Sequence, residues 1–465
     1  MPPPVRAPEK TLAVPQAVSD GTTELKLLLQ RPVRLLALSK HLVSSIYYLI
    51  MTYLYVTLSA TSKRALQAYA PTAMVAVMGS FALLHVYGLF RTCRGAPTKT
   101  WFWSKHTFWP ALCASSSSRL MFFHFVDVLC QSYQAYHVSE YLVDRTSAFS
   151  FAFFVSLNCL ITPWFLVSKH KVVQESVVPL VQSLLGFILS TLFQAFVFIA
   201  PALYFSLSVA HQYDDQFNAR IMLVSRYMLV SSPLDLVTKV FIQLSSYAAL
   251  RKLVESIHVV PHVGHPKLGT NMSKHFQLEF YTNRSRLVYA VCVSCWGLGI
   301  LGLSITANWN RSTCPTTCVY EFYPWSSFTR ECAYVEINCA KQNTPGDTIN
   351  SFLEPSQLGL RLFCIDIRRC ALRNGISMAN FVPFQHLYGL YISFSNMTQW
   401  THDPTASAAR FPESLTAFRI SYSDLAVIPA VLAPAPPNLV YLLIEGTEIS
   451  AIPNEYFQAW AKVSI

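Results

Sequence analysis

Six of the 12 cysteines lie close together near the end of the chain, within residues 314–370. Cysteines in an even number form a disulfide framework in an oxidising compartment. We therefore predict disulfides among four of them, although four cysteines allow three pairings and the sequence leaves the choice open. A zinc site is the alternative, but its Cys-x₃-Cys and Cys-x₆-Cys spacings are looser than those of most structural zinc sites. The four predicted disulfide residues are Cys314, Cys318, Cys332 and Cys339.

Ionisable and amide side chains inside apolar segments form a second group with chemical potential. They recur at helical spacing within residues 120–138 and again within residues 221–247. Charges inside a membrane are costly and face the interior of a helix bundle, where they form an ion path or hydrogen-bond neighbouring helices. Hydrogen bonding between helices is the interpretation we prefer, with an ion path as the alternative. The residues are Asp127 and Gln131 in the first segment, and Asp235 and Lys239 in the second.

Motifs of catalysis are missing from the sequence. It contains no Gly-rich phosphate loop, no His-Glu-x-x-His and no Gly-x-Ser-x-Gly, and glycine is scarce at 15 of 465 residues. Each of these motifs provides a nucleotide cradle, a metal site or an activated nucleophile. We therefore predict no enzyme activity, no catalytic residues, no metal site and no cofactor.

Composition indicates which elements must position these residues. Hydrophobic residues make up 52% of the chain and charged residues 13%, about half the charge of an average soluble domain. About 20 apolar residues are needed to cross a membrane. Five stretches meet this length, and two weaker ones raise the predicted count to about seven spans in an α-helical multi-pass membrane bundle. The five are 42–60, 71–90, 147–167, 183–209 and 287–307, and the weaker two are 120–138 and 221–247.

Lysine and arginine are distributed unevenly among the stretches between these spans. With all seven counted, those on the side of the N-terminus hold 19 such residues and the loops on the other side hold 4. Cytosolic loops carry the excess, so we predict a disordered cytosolic tail over residues 1–41, the bundle over 42–307, and residues 308–465 outside the cytosol. Counting only five spans leaves residues 308–465 on the same side of the membrane but places Lys169 and Lys171 outside the cytosol. The net charge of +11 then reflects the excess of basic residues on the cytosolic side, where they would contact the lipid bilayer. We therefore expect no nucleic-acid partner.

A repeated pattern occupies the last hundred residues. Leu-x-x-Leu-x-Leu, with conservative replacements and a small residue at the ninth position, begins at Leu362, Leu387, Leu415 and Leu439. The spacings of 25, 28 and 24 residues lie within the range of leucine-rich repeats, 20–29 residues. The alternation of apolar residues predicts a short strand in each copy. The alternative is a set of unrelated strands in a β-sandwich.

On these four segments the chain resembles the leucine-rich-repeat family. Residues 308–340, with Cys314-Pro-Thr-Thr-Cys318 and Cys332-Ala-Tyr-Val-Glu-Ile-Asn-Cys339, are similar to the cysteine-rich N-terminal cap of extracellular repeat arrays. The order of a membrane bundle followed by repeats, together with the stretch 129–136, resembles multi-pass leucine-rich-repeat membrane proteins of oomycetes. The resemblance implies an α/β leucine-rich-repeat solenoid over residues 341–465, with disulfides in the cap.

The same resemblance implies a protein-binding function. The family binds protein or peptide ligands on its strand face, so we expect recognition, adhesion or receptor-like signalling at the plasma membrane, with an extracellular ligand and a signalling co-receptor as partners. A channel or transporter with a regulatory outer domain is the alternative. Asn396-Met-Thr is the glycosylation triplet that we expect to be used. The predicted ligand face consists of Asp366, Arg368, Tyr391, Ser393, Arg419, Ser421, Tyr441, Leu443 and Glu445.

Overall fold

A computed structural model of the protein describes residues 17–94, 116–168, 173–258, 284–344, 349–401 and 410–454, together with residues 456, 460 and 463. Within these ranges the chain forms a bundle of helices followed by a six-stranded sheet. The long helices are α1 (Ala17–Thr57), α3 (Pro71–Arg94), α4 (Ser116–Tyr141), α5 (Arg145–Val167), α9 (Asp215–Met228), α10 (Pro233–His258) and α11 (Arg284–Trp309). The shorter ones between them are α2 (Ala60–Ala65), α6 (Val178–Phe187), α7 (Ala200–Leu207) and α8 (Val209–Gln212).

Five helical stretches are long and apolar enough to cross a membrane. They match the five apolar stretches predicted from the sequence, and α9 with α10 makes a sixth if a pair bent by 74° counts as one span. The helices are therefore consistent with a multi-pass membrane protein. A count of seven is not confirmed, because α4 is not among the stretches that reach this apolarity. The five are Gln30–Thr57, Pro71–Arg94, Arg145–Val167, Val178–Leu207 and Arg284–Trp309.

The segment predicted as one span over residues 221–247 is broken between α9 and α10. Ser232 and Pro233 begin a new helix here, since the Asp235 amide donates to the Ser232 hydroxyl at 3.2 Å. The Ser231 amide in turn donates to the Asp235 carboxylate at 3.1 Å. The Ser232 hydroxyl thus caps α10, the Asp235 carboxylate satisfies the amide of the preceding residue, and proline is favoured at the first position of the helix. Asp235 thus stabilises the start of α10.

The N-terminal tail is shorter than predicted. Residues 1–41 were expected to be disordered, yet α1 begins at Ala17; residues 1–16 lie outside the described ranges. Val33, Ala37 and Lys40 are buried, and their spacing puts them on one face of the helix. That face packs on the bundle, so the Lys40 ammonium, which the charge count assigned to the cytosol, lies inside the protein.

The fourth span, Val178–Leu207, is not a regular α-helix. It joins α6 to α7 through two π-helical turns, Ile188–Leu192 and Ala195–Ile199, and a further π-helical turn, Val173–Val177, precedes it. A π-helical turn shifts the backbone hydrogen bonds by one residue and is frequent at functional sites. Gln194 lies between the two turns.

The sheet has the strand order β1 to β6 and contains β1 (Cys318–Glu321), β2 (Cys332–Asn338), β3 (Cys364–Arg368), β4 (Gly389–Ser395), β5 (Ala417–Ser423) and β6 (Tyr441–Glu445). β1 pairs with β2 antiparallel, and all the following pairs are parallel. The register aligns Ile365 with Leu390, Leu390 with Phe418, and Phe418 with Leu442. Equivalent residues of the four repeated segments therefore lie side by side.

Both sides of the sheet are covered over much of its area. On one side, apolar strand residues such as Ile367, Ile392 and Ile420 join a core with the connecting segments. These segments include helices α12 (Cys339–Gln342), α13 (Ile349–Phe352) and α14 (Pro355–Leu358) and the 3₁₀ turns Met378–Asn380 and Ala430–Leu432. On the other side, a smaller cluster joins the strands to Ala219 and Leu223 of α9. The sheet is therefore attached to the bundle by its second side.

Candidate functional site

The predicted ligand face forms two rows that cross the parallel strands. One row aligns Asp366, Tyr391, Arg419 and Leu443, and the other aligns Arg368, Ser393, Ser421 and Glu445. Side chains two apart on a strand point to the same side of a sheet, so both rows lie on the side that contacts α9. Tyr441 is on this side as well, next to Ala417.

Asp215, at the start of α9, lies between two arginines of this face. The Arg368 Nη2 donates to its carboxylate at 3.2 Å, and the Arg419 Nη1 donates at 2.8 Å. The Arg419 Nη2 also donates to the same carboxylate. Two-pronged arginine–carboxylate pairs are among the stronger hydrogen-bonded contacts. Asp215 therefore joins β3 and β5 to the first turn of α9.

A buried aspartate forms hydrogen bonds with one of these arginines. Asp366 accepts hydrogen bonds from the Arg368 Nε at 2.9 Å and from the Tyr334 hydroxyl at 2.7 Å. Burial raises the pKa of Asp366, and the donors around its carboxylate oppose the rise. On the neighbouring strand, the Arg419 guanidinium lies 4.7 Å from the centre of the Tyr391 ring. Arg368 is thus held by a residue of its own strand β3, and Arg419 of β5 by a residue of the neighbouring strand β4.

Arg226 makes the second contact, at the far end of α9. Its guanidinium lies 5.1 Å from the ring centre of Phe363 and 4.9 Å from that of Tyr388, and these two rings stack on each other. Its Nη2 donates to the Ala65 carbonyl at 3.0 Å. Cation–π contacts of this kind strengthen when the cation is removed from water, and Arg226 is buried. α9 is therefore attached to the sheet at both ends.

The predicted ligand face is thus divided into an occupied part and a free part. Asp366, Ser393 and Ser421 are buried, while Arg368, Tyr391, Arg419 and Tyr441 are half-buried. Leu443 and Glu445 are exposed on the edge strand β6. Glu445 accepts a hydrogen bond from the Ser421 hydroxyl at 3.0 Å. Binding of an external ligand by this face stays a prediction, and any such ligand has to share the face with α9.

A column of residues in the left-handed conformation follows the strands. Arg369, Phe394 and Tyr422 have φ of 53°, 56° and 56°, and Gly446 has φ of 59°. Side chains other than glycine adopt this conformation at a cost of about 1–2 kcal/mol. The Phe394 and Tyr422 rings, about half exposed, stack at 4.9 Å. Each residue lies two positions after an inward-pointing strand residue of its segment, and the aligned register places the four next to one another.

Two disulfides connect the cysteine-rich segment. Cys318 is bonded to Cys332, and Cys339 is bonded to Cys370. Disulfides in this region are thus confirmed, with Cys370 as a partner outside the predicted set of four. Cys314 carries a free thiol that is half-buried. Burial, aided by the charge of Glu321, raises its pKa to about 12.

The glycosylation triplet lies at the end of β4. The Asn396 side chain is exposed, and its carbonyl oxygen accepts a hydrogen bond from the Leu372 amide at 2.7 Å. A glycan would be attached to the side-chain nitrogen Nδ2, which this hydrogen bond does not involve. Glycosylation of Asn396 stays a prediction.

The polar residues that were predicted to lie inside the membrane form two clusters. In the first, the Gln131 amide donates to Asp127 at 2.8 Å and accepts from Asn158 of α5 at 2.9 Å. In the second, Asp235 pairs with Lys239 at 3.0 Å and accepts from the Gln134 amide at 2.9 Å. Both clusters join α4 to a neighbouring helix, as expected of polar groups that hydrogen-bond between membrane helices.

Sequence reasoning missed the residues that join sheet and bundle. Asp215 and Arg226 both lie in α9, and nothing in their local spacing relates them to strands more than a hundred residues away. Lys40 was assigned to the cytosolic tail. The helical spacing of Lys40, Ser44 and Tyr47 is a signal that could have placed Lys40 on the buried face of α1.

The apolar helices are consistent with a multi-pass membrane protein, and a mixed sheet packs against their bundle. No family model, no curated protein and no solved structure matches this chain. Function therefore has to be argued from the geometry.

Proposed function

We propose that the protein is a receptor-like membrane protein whose leucine-rich-repeat domain recognises an extracellular protein or peptide. The observation that carries the proposal is the position of Asp215 between Arg368 and Arg419. Two arginines of the face that the family uses for binding here hold a carboxylate of the protein's own bundle. A ligand that supplies a carboxylate would compete with Asp215 and release the start of α9.

The repeat assignment is supported by the alignment of equivalent residues across the parallel strands β3 to β6. Leu362, Leu387, Leu415 and Leu439, which begin the four segments, are all buried. In a solenoid each repeat buries its apolar residues against the next one, so such alignment is expected. The Cys339–Cys370 bond joins the segment before the repeats to the first of them.

The proposed topology has seven spans, with α4 and the bent pair of α9 and α10 both counted. α4 turns His124, Asp127, Gln131 and Gln134 inward, whereas Phe122, Phe125 and Leu129 are exposed. A helix with polar residues inside and apolar residues outside suits a lipid environment. The distribution of basic residues then places the N-terminus in the cytosol and the repeats outside the plasma membrane.

Ligand binding on the free part of the face would be transmitted through α9. Leu443 and Glu445 offer an exposed entry next to Arg419, and arginine with tyrosine is a common combination at protein-binding hot spots. Because α9 continues through the bend into α10, a displaced Asp215 would alter the attachment of the sheet to the bundle. A signalling co-receptor would read that change.

The test measures binding of a fluorescent hexaglutamate peptide to the full chain in detergent micelles. Asp215→Asn should raise the affinity about tenfold, since it removes a competitor worth about 1.4 kcal/mol. Arg419→Glu combined with Tyr391→Ala should abolish binding. Arg373→Glu, an exposed arginine outside the two rows, is the matched control and should change little.

Opposite effects of the Asp215 and Arg419 variants are the signature of competition. Equal binding by the parent and by the Arg419→Glu, Tyr391→Ala variant would overturn the proposal. Hexalysine serves as the charge control, and its binding in place of hexaglutamate would count against a carboxylate ligand.

A further inference from the structure

Polar residues from three helices line one seam through the bundle interior. They recur at helical spacing on each helix, so each set lies on one face. α1 contributes Lys40, Ser44 and Tyr47; the fourth span contributes Ser183, Ser190, Thr191 and Gln194; and α10 contributes Lys239, Gln243 and Ser246. We call these ten residues the polar seam. The seam extends along α10 from Lys239 to Ser246, which contacts the Lys40 ammonium, and this distance is two helical turns. With Asp235, one turn before Lys239, the length is roughly 16 Å, about half of the ~30 Å hydrocarbon layer.

Direct contacts connect the seam from helix to helix. The Lys40 ammonium donates to the Ser246 hydroxyl at 2.8 Å and to the Ser183 hydroxyl at 3.1 Å. One turn further along α1, the Ser44 and Thr191 hydroxyls are 3.3 Å apart. The Thr191 hydroxyl is 3.5 Å from that of Ser190. Hydroxyl groups both donate and accept, so a proton can pass within each of these two sets of contacts. No direct contact of the described residues joins the Lys40 set to the Ser44 set, so a water molecule has to bridge them.

A cavity of about 30 Å³ continues the seam beyond Ser190. A space of this size holds about two water molecules, which is too little for a hydrated metal ion. The Oε1 of Gln134, on the buried wall of the cavity, has no hydrogen-bond partner among the described residues. A buried unpaired acceptor is costly, and a water molecule in the cavity would satisfy it. The polar groups of the wall are those of Tyr47, Gln134, Ser190, Gln194, Lys239 and Gln243.

The fourth span is π-helical where it borders the cavity. The Ser190 carbonyl, inside the turn Ile188–Leu192, accepts a hydrogen bond from the Gln243 amide at 2.9 Å. A π-helical turn loosens the backbone and presents carbonyls sideways. The irregular backbone therefore faces the seam, and irregular backbone at membrane depth occurs where it lines protein interior or a water-filled cavity.

Helix association alone does not require the composition of this seam. Lys40 has four neutral acceptors, two carbonyls and two hydroxyls of Ser183 and Ser246. No ion pair of Lys40 with a carboxylate within 4 Å is found in the part of the chain described above. Asp127 of α4 is the carboxylate that interacts electrostatically with Lys40, from beyond ion-pair distance. A buried ammonium with no carboxylate in direct contact is more costly than serine or threonine contacts, which would join the helices equally well.

We propose that the polar seam conducts protons between Lys40 and the Asp235–Lys239 pair. A hydroxyl oxygen accepts a proton from one neighbour and releases its own hydrogen to the next, so only O–H bonds form and break. The Lys40 ammonium gives one proton to the seam and regains one from the opposite side. Cavity water bridges Ser190 to Lys239, and the amides of Gln134 and Gln243 hold that water in place.

Titratable groups lie near both ends of the seam. Next to Lys40, the Nδ1 atoms of His41 and His85 are 3.1 Å apart. At the other end, the Ser231 hydroxyl lies 3.4 Å from the Nε2 of His137, beside the bend that leads to α9. The end of the path near Asp235 is thus close to the helix that carries the sheet.

The test uses the full chain in liposomes that contain a pH-sensitive dye, with a potassium gradient and valinomycin to drive proton entry. Parent protein should acidify the lumen faster than empty liposomes. Gln243→Leu, which removes a link between cavity and backbone, should lower the rate about tenfold, since a polar group in a low-dielectric path is replaced by hydrocarbon. Asn308→Leu, a buried amide of α11 that bonds, among the described residues, only the Ser304 carbonyl of its own helix, is the matched control and should stay within about twofold.

Circular dichroism and gel filtration check that each variant folds. If Gln243→Leu does not fold, Ser190→Ala is a smaller change that tests the same path. Parent rates equal to those of empty liposomes would overturn the proposal. So would a Ser190→Ala or Gln243→Leu rate equal to the parent rate, or an equal loss of rate in Asn308→Leu. Replacing external sodium by a large organic cation should leave the rate of acidification unchanged; a fall would mean that proton entry is coupled to sodium and would overturn the proposal.

Discussion

Removing the Asp215 carboxylate should loosen the attachment of the sheet to α9. Asp215 is 13% exposed, and its partners Arg368 and Arg419 are 33% and 25% exposed. Exposed ion pairs contribute about 0.2–1 kcal/mol, and removing one partner of a buried pair costs about 3–5 kcal/mol. Because these groups lie between the two limits, we expect Asp215→Asn to weaken the attachment by about 1–3 kcal/mol, or about 5- to 150-fold.

Hydrogen exchange of the full chain in detergent measures this directly. Amides of residues 215–228 should exchange faster by the same factor, since exchange reports the free energy of local opening. Arg419→Gln and the double variant with Asp215→Asn complete a double-mutant cycle, with Arg373→Gln as the control. If the effects of Asp215→Asn and Arg419→Gln add, the two residues do not interact and the reasoning is refuted.

Three further changes test the sheet. Replacing Cys339 and Cys370 by serine opens a link across 31 residues and should lower the free energy of unfolding by about 3–4 kcal/mol, measured by thermal denaturation. At pH 8 the Cys314 thiol, with its pKa near 12 in place of 9.0, should react with iodoacetamide about a thousandfold more slowly than an ordinary thiol, and about tenfold faster for each added pH unit. Gly375→Ala, at φ +81° and with its Cβ 2.3 Å from the Trp400 ring, should lower stability by more than about 2 kcal/mol and shift the Trp400 fluorescence.

Each of these three predictions has its own control. Cys364→Ser removes a free thiol and should cost less than loss of the disulfide; an equal cost would contradict the entropic argument. For Cys314, a reaction rate that stops rising below pH 10 would show an ordinary thiol. Gly299→Ala, where a Cβ meets nothing within 4 Å, is the control for Gly375→Ala, and equal melting temperatures of those two variants would contradict the predicted clash.

Local patterns in the sequence predicted the elements that depend on neighbouring residues. Apolar length predicted the five stretches that can cross a membrane, and period-two alternation placed strands at Cys364–Arg368 and Ala417–Ser423. The ion pair of Asp235 with Lys239 follows from a spacing of four on a helix. The bend before Asp235 was missed, although Ser232 and Pro233 are typical start signals of a helix.

Contacts between distant residues depended on the tertiary structure. Asp215 and Arg419 are 204 residues apart, and Lys40 and Ser246 are 206 apart. No periodicity relates positions so distant, because their approach depends on how whole helices and the sheet pack. The partner of Cys339 was open for the same reason, since a disulfide needs two Cα atoms within about 7 Å and spacing along the chain does not give that distance.

By itself, the sequence determined that this chain has long apolar helices, a cysteine-rich segment and a series of similar strands, because helix and strand periods and hydrophobic length are properties of local residues. Only the tertiary structure decided that α9 occupies part of the strand face and that Lys40 joins a polar seam with Ser183 and Ser246. Burial converts these charged side chains from solvated groups into partners, and burial depends on the packing of the entire fold.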